Sequence, residues 1–121
     1  RGATFISSIN IAIRNHKGYN VKNNKRINAL IRNFLHKGIK KFYLTGSILG
    51  IQKIHEKRLQ MILPRLEIIQ KPEDMNLPGF NFHSLTGKRK GQYAICVQKN
   101  WWVVFKFDGI DVYDVDYLDY H

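Results

Sequence analysis

The chain has 121 residues, 44% of them hydrophobic, and a formal net charge of +11; this suffices for one domain with a modest core and points to a polyanionic partner, most simply nucleic acid. No apolar run approaches the ~20 residues a membrane span needs, and Ser7, Ser8 and Asn10 break up the mildly apolar stretch from Thr4 to Ile13 that would otherwise suggest a secretory signal. Cys96 is the only cysteine, which excludes a disulfide framework and a cysteine-built zinc site and makes a reducing cytoplasm the expected setting.

The charge is unevenly placed. Glu56 is the first acid, 11 basic residues precede it, and residues 56–121 carry nine of each sign. Asp108, Asp111, Asp114, Asp116 and Asp119 crowd the last 14 positions. Charge by itself gives only non-specific attraction, so a solvated basic surface is the competing explanation.

In chain order, residues 1–29 contain no acid, no proline and little period, and we expect a flexible basic extension outside the folded unit. The domain is expected over residues 30–121. The alternation from Leu30 to Leu35 suits a short strand. Ile39, Phe42 and Tyr43 at helical spacing, with lysines opposite, predict a helix from His36 to Leu44, ended by Thr45-Gly46-Ser47. A second helix is expected from Gln52 to Ile69, its apolar stripe made by Ile51, Ile54, Leu59, Ile62, Leu63, Leu66 and Ile69. Pro64 costs ~3 kcal/mol inside a regular helix, so a kink or break is expected near Gln60 to Leu63. Pro72 and Pro78 make residues 71–79 a linker.

Four strands follow. Phe80 and Phe82 alternate with Asn81 and His83, and Tyr93, Ile95 and Val97 alternate with Ala94, Cys96 and Gln98. Trp101, Val103, Phe105 and Phe107 face one way, Trp102, Val104 and Lys106 the other. Asp108-Gly109 signals a type I′ hairpin, and the last strand puts Tyr113, Val115 and Tyr117 opposite Asp114 and Asp116. The sum is an α+β domain, a small antiparallel β-sheet packed against two N-terminal helices. The strands are expected to gather residues distant in sequence, among them the basic loop Lys88-Arg89-Lys90, on one basic face that meets RNA.

From Ile31 onward the sequence resembles the HigB branch of the RelE-type toxins. The words that carry the likeness are Phe34-Leu35-His36-Lys37-Gly38-Ile39-Lys40-Lys41-Phe42, Thr45-Gly46-Ser47, Gly50-Ile51-Gln52 and Pro72-Glu73-Asp74-Met75-Asn76-Leu77-Pro78-Gly79-Phe80. They continue with His83, Leu85, Gly87, Gly91, Asn100-Trp101, Phe105, Tyr113-Asp114-Val115-Asp116-Tyr117 and Asp119-Tyr120-His121. The resemblance implies a RelE-like fold and a ribosome-dependent endoribonuclease that cuts messenger RNA in the decoding site. It also implies silencing by a helix-turn-helix, HigA-like antitoxin and contact with operator DNA only through that complex.

Cleaving RNA with its own 2′-hydroxyl, without a metal or other cofactor, needs a proton acceptor, a cation for the charge growing on phosphorus oxygens and a proton donor for the leaving 5′-oxygen. Histidine suits both proton steps. By family correspondence His83, Asp119, Tyr120 and His121 are the catalytic candidates. The resemblance implies His121 as the proton-transfer group, Asp119 or Tyr120 as orienting it or touching the RNA, and His83 as a second catalytic or phosphate-contacting group. For RNA contact the candidates are Lys53, Lys57 and Arg58, toward ribosomal RNA, with Lys88, Arg89 and Lys90. His16, His36 and His55 read as structural.

Two positions depart from the pattern. Thr86 stands where relatives commonly carry a lysine, and Trp102 where an arginine usually follows Asn-Trp. Trp102 is then either sheet surface or a base-stacking ring. The departures keep open a family member that binds antitoxin or ribosome without efficient cleavage, or a basic RNA-binding module.

Overall fold

The computed structural model describes residues 19–20, 25–26 and 29–119. In the N-terminal stretch the backbones of β1 (Tyr19–Asn20) and β2 (Lys25–Arg26) pair antiparallel. The rest of the expected extension lies outside the described residues, and the domain core already includes Ala29.

Helix α1 (Lys37–Thr45) forms where the period placed it. His36 caps it by accepting from the Ile39 N–H at 3.1 Å, which answers one of the free donors of the first turn. Gly46 ends it in the left-handed conformation at φ 79, its N–H returning to the Phe42 carbonyl at 2.7 Å. Ile39, Phe42 and Tyr43 are buried.

Helix α2 (Glu56–Leu66) is shorter than expected and follows a 3₁₀ turn, Lys53–His55. The tighter turn shifts the helical phase. His55 goes inward at 1% exposure, while Ile54, assigned to the apolar stripe, is 71% exposed. The break expected near Gln60 to Leu63 is not there: the helix runs through Pro64 and stops two residues later. A proline so close to the end removes one hydrogen bond and leaves little helix beyond it to bend. Buried Leu59, Ile62, Leu63 and Leu66 hold the segment to the core meanwhile.

Past a 3₁₀ turn at Pro72–Met75, which buries Met75, the chain enters the sheet. It is an antiparallel meander in the order β3 (His83–Ser84), β4 (Gln92–Gln98), β5 (Trp101–Phe107) and β6 (Val112–Asp119). β3 is shorter than the alternation of residues 80–83 suggested. Phe80 is instead a core side chain whose carbonyl accepts from Cys96 N–H at 2.7 Å, and Asn81 at φ 47 redirects the backbone into the edge strand. Residues 30–35 are not a full strand either. They run parallel to β6 through isolated bridges, Ile31 to Val112 and Phe34 to Val115. Buried Asp111 clamps their start, accepting from Leu30 N–H at 3.0 Å and from Arg32 Nε at 2.8 Å.

The β5–β6 turn is not type I′, because only Gly109 has positive φ, at 96. The Asp108 carboxylate organises it by accepting from the N–H groups of Ile110 (2.9 Å) and Asp111 (2.7 Å). Those bonds to the ionised form hold its pKa below the usual carboxylate range. A bulge in β6 then corrects one face assignment. Asp114 sits at φ 52, paired reciprocally with the Asn33 side chain at 2.8 and 3.0 Å. The extra residue moves Tyr113 opposite Lys106, away from the face of Val115 and Tyr117.

One face of the sheet carries Ile95, Val97, Val103, Phe105, Val115 and Tyr117 against the buried side chains of both helices, so the helices cover that face only. Within this core Glu67 is fully buried. Its Oε2 accepts from the Tyr43 hydroxyl, whereas Oε1 has no hydrogen-bond partner among the described residues. Burial pushes the carboxyl up to about 7, against the Tyr43 bond, which lowers it. A folded-state value above the unfolded one means that stability is full below about pH 4.5 and declines as pH rises through about 7. Glu67→Gln is therefore expected to match the parent near pH 4.5 and to exceed it above pH 7, by about 3 kcal/mol. Urea unfolding of both proteins at pH 5 and pH 8 checks this; a stability difference independent of pH contradicts it.

Candidate active site

The face turned away from the helices is ordered by strand register into three cross-strand rows. One joins Gln92, Lys106 and Tyr113; the next joins His83, Ala94, Val104 and Asp116; the third joins Cys96, Trp102 and Leu118. Ala94 and Val104 are buried and make a small-residue floor, with His83 at the edge strand. The face is thus less basic than the sequence suggested. Lys106 is its only lysine or arginine among these rows, and it is paired with Asp114 at 3.3 Å.

His83 is exposed, and its ring is fixed from both sides. Nδ1 lies 2.9 Å from the Asn81 carbonyl, which can only accept, so in the neutral ring the proton sits on Nδ1 and Nε2 has the lone pair. The ring meets Trp102 edge-on, centroids 5.1 Å apart at 90°. An exposed imidazole held through one nitrogen, with no hydrogen-bond partner on the other among the described residues, is the arrangement a general base needs.

The other predicted residues fall into separate groups. Lys88, Arg89 and Lys90 occupy a 3₁₀ turn, Gly87–Arg89, and the residue after it, on the connection from β3 to β4. Arg89 Nη1 donates to Gln92 Oε1 at 2.9 Å, which tethers that guanidinium beside the first row; Lys88 and Lys90 are exposed. Asp119 is exposed at the end of β6, opposite Trp101 in register. Tyr120 and His121 lie outside the described residues. Lys53, Lys57 and Arg58 belong to the helical layer, on the opposite side of the sheet from His83. Lys53 and Lys57 are exposed. Arg58 instead folds inward, 3.4 Å from the Val97 and Gly79 carbonyls and over the Phe80 ring at 5.3 Å.

Lys106 was not singled out from the sequence. Its signal was its alternation with Trp102 and Val104 on β5, which puts it on the face of His83, one row away. Among the described residues no group of three or more His, Cys, Asp or Glu side chains is placed to hold a metal ion.

His55 is structural in its surroundings. Its Nδ1 is 2.6 Å from the Tyr117 hydroxyl and its Nε2 3.0 Å from Gln98 Oε1, so Nε2 donates to the amide oxygen and Nδ1 accepts from tyrosine. The Tyr117 oxygen in turn accepts from Gln52 N–H at 3.1 Å. This satisfied chain pins the start of α2 to β4 and β6.

Comparison with known proteins gives the same family. Residues 32–121 match the model of the HigB RelE-like toxins of type II toxin-antitoxin systems. A curated relative, "Endoribonuclease HigB" of Proteus vulgaris, is 30% identical over 92 residues, which span 76% of this chain and 100% of that protein. The family match covers most of the chain and the relative is covered in full, so the chain belongs to the HigB family of RelE-like toxins of type II toxin-antitoxin systems.

Proposed function

We propose that the protein is the toxin of a type II module and acts in the cytoplasm as a metal-independent endoribonuclease on messenger RNA in the ribosomal decoding site. The observation that carries the reading is His83, exposed on the sheet face opposite the helices, with Nδ1 held by the Asn81 carbonyl and no hydrogen-bond partner for Nε2 among the described residues. In the reaction His83 Nε2 takes the proton of an RNA 2′-hydroxyl. The oxygen attacks the adjacent phosphorus, the bond to the 5′-oxygen breaks, and the products are a 2′,3′-cyclic phosphate and a 5′-hydroxyl. Lys106, one row from His83, and Arg89, tethered to Gln92 of that row, would carry the charge that builds on the phosphate, with Lys88 and Lys90 next to Arg89 in sequence. The terminal Asp119, Tyr120 and His121 supply the leaving-group proton, His121 as the donor. A HigA-like antitoxin silences the toxin and takes it to operator DNA. The exposed lysines of the helical layer, Lys53 and Lys57, face ribosomal RNA.

A second reading, a member that binds but cuts poorly, is favoured by Thr86 and by Trp102, which puts an indole rather than a cation beside His83. Induced expression in bacteria separates the two. Growth arrest by the unaltered chain is the expected result. No arrest by it, with arrest by Thr86→Lys combined with Trp102→Arg, establishes the second reading.

A further inference from the structure

We infer that Trp102 is the floor of a nucleobase subsite that stacks an unpaired RNA base and so sets the adjoining 2′-hydroxyl and phosphate against His83. The inference rests on the ribonuclease reading for its choice of ligand. The two tryptophans of β5 point to opposite faces. Trp101 turns toward the core, 4.7 Å from the Tyr117 ring and 5.5 Å from His55. Trp102 turns outward, only partly buried, between Cys96 and Leu118 on its neighbouring strands. That row is uncharged, while the next holds His83 and the one after it Lys106 and Gln92, the partner of Arg89.

Read along the strands, the face therefore changes from the apolar row of Trp102 to the row of His83, with Asp116 on its far strand, to the row of Lys106, whose ammonium is paired with Asp114. Successive rows are two residues apart, ~6.7 Å, comparable to one extended nucleotide. A base on the indole, a sugar over His83 and a phosphate toward Lys106 and Arg89 match that order of chemistries. The perpendicular contact of His83 with Trp102, at 5.1 Å, places the stacking ring directly beside the base of the reaction. Aromatic stacking of this kind tolerates any base, since every base has a π-face. The subsite thus supplies position, and sequence preference has to come from elsewhere.

The test titrates the full chain with decaadenylate, and separately with inorganic polyphosphate as a charge-only probe, while following tryptophan fluorescence. Decaadenylate is expected to quench the emission and polyphosphate to leave it nearly unchanged. Trp102→Leu should abolish the quench, with Trp101 still reporting the fold, and weaken decaadenylate binding about ten- to a hundredfold. Trp102→Phe should recover most of the affinity. Binding by Trp102→Leu equal to the parent's, or equal quenching by both probes, overturns the subsite; if the leucine variant does not fold, parental quenching in Trp102→Phe overturns it instead. Quenching without cleavage of any RNA supports the subsite and removes the nuclease reading. Cleavage by Trp102→Leu with parental KM removes the subsite and leaves the nuclease.

Discussion

Gly38→Ala is expected to destabilise the protein by about 3 kcal/mol or more, although alanine ordinarily improves a helix by roughly 0.5–1 kcal/mol over glycine. Gly38 lies in the first turn of α1, where the backbone of the following loop crosses it. A Cβ there would stand 2.2 Å from the Gly50 carbonyl oxygen and 2.7 Å from its carbon. The crowding is mutual, since a Cβ on Gly50 would stand 2.5 Å from Gly38 Cα. Both obstacles are main chain, so no side chain can swing aside and the loop must move. That loop leads to Gln52 and the 3₁₀ turn that carries His55, so the displacement reaches the buried bonds to Tyr117 and Gln98. Thermal unfolding of Gly38→Ala and Gly50→Ala measures it. At ~4–8 °C per kcal/mol for a domain near this size, either variant should melt at least ~12 °C lower. An unchanged or higher melting temperature would show that the two backbones do not meet.

His83→Ala is expected to slow RNA cleavage about 10²- to 10⁴-fold, the usual contribution of a positioned general base, while leaving stability within ~0.5 kcal/mol. The two expectations belong together, because an exposed side chain whose bond is to a neighbouring carbonyl holds little of the fold in place. His55→Ala should behave in the reverse way. It leaves Gln98 and Tyr117 without their buried partner, so the protein loses ~1–3 kcal/mol of stability per stranded group. Rates on ribosome-bound message and urea unfolding of the same preparations separate the histidines. Parental cleavage by His83→Ala would move the base to another residue.

The contrast between these histidines shows what could be read in the chain. The family motifs, the period of Ile39, Phe42 and Tyr43, and the alternation of β4 and β5 led directly to the α+β meander, because those signals are local. What was not legible depended on distant partners. Ile54 and His55 exchanged places because a 3₁₀ turn precedes α2, and a histidine is stable in a core only once Tyr117 and Gln98 have been brought to it. Tyr113 changed faces through the bulge at Asp114, which is held by Asn33, 81 residues earlier in sequence. Pro64 suggested a break, and the burial of four neighbouring side chains overrode it.

The site was legible as composition more than as geometry. His83 was named, yet its fixed tautomer comes from a left-handed Asn81 whose conformation the sequence does not announce. The basic face expected of the sheet is instead a graded one, with Lys106 and Arg89 at one side and Trp102 at the other. The cations of residues 53–58 sit on the helical layer, where Arg58 is drawn into the fold by carbonyls and a phenyl ring. Side-chain identity gave the charges, and only the strand register showed which of them share a surface with His83.

The most direct test of the account maps the ends of a defined messenger RNA in a reconstituted bacterial translation reaction, with the parent chain and with His83→Ala. The parent chain is expected to leave new ends within ribosome-bound message, bearing a 2′,3′-cyclic phosphate and a 5′-hydroxyl, and the variant far fewer of them. Intact message with the parent chain, or cleavage of the same yield and end chemistry with His83→Ala, contradicts it.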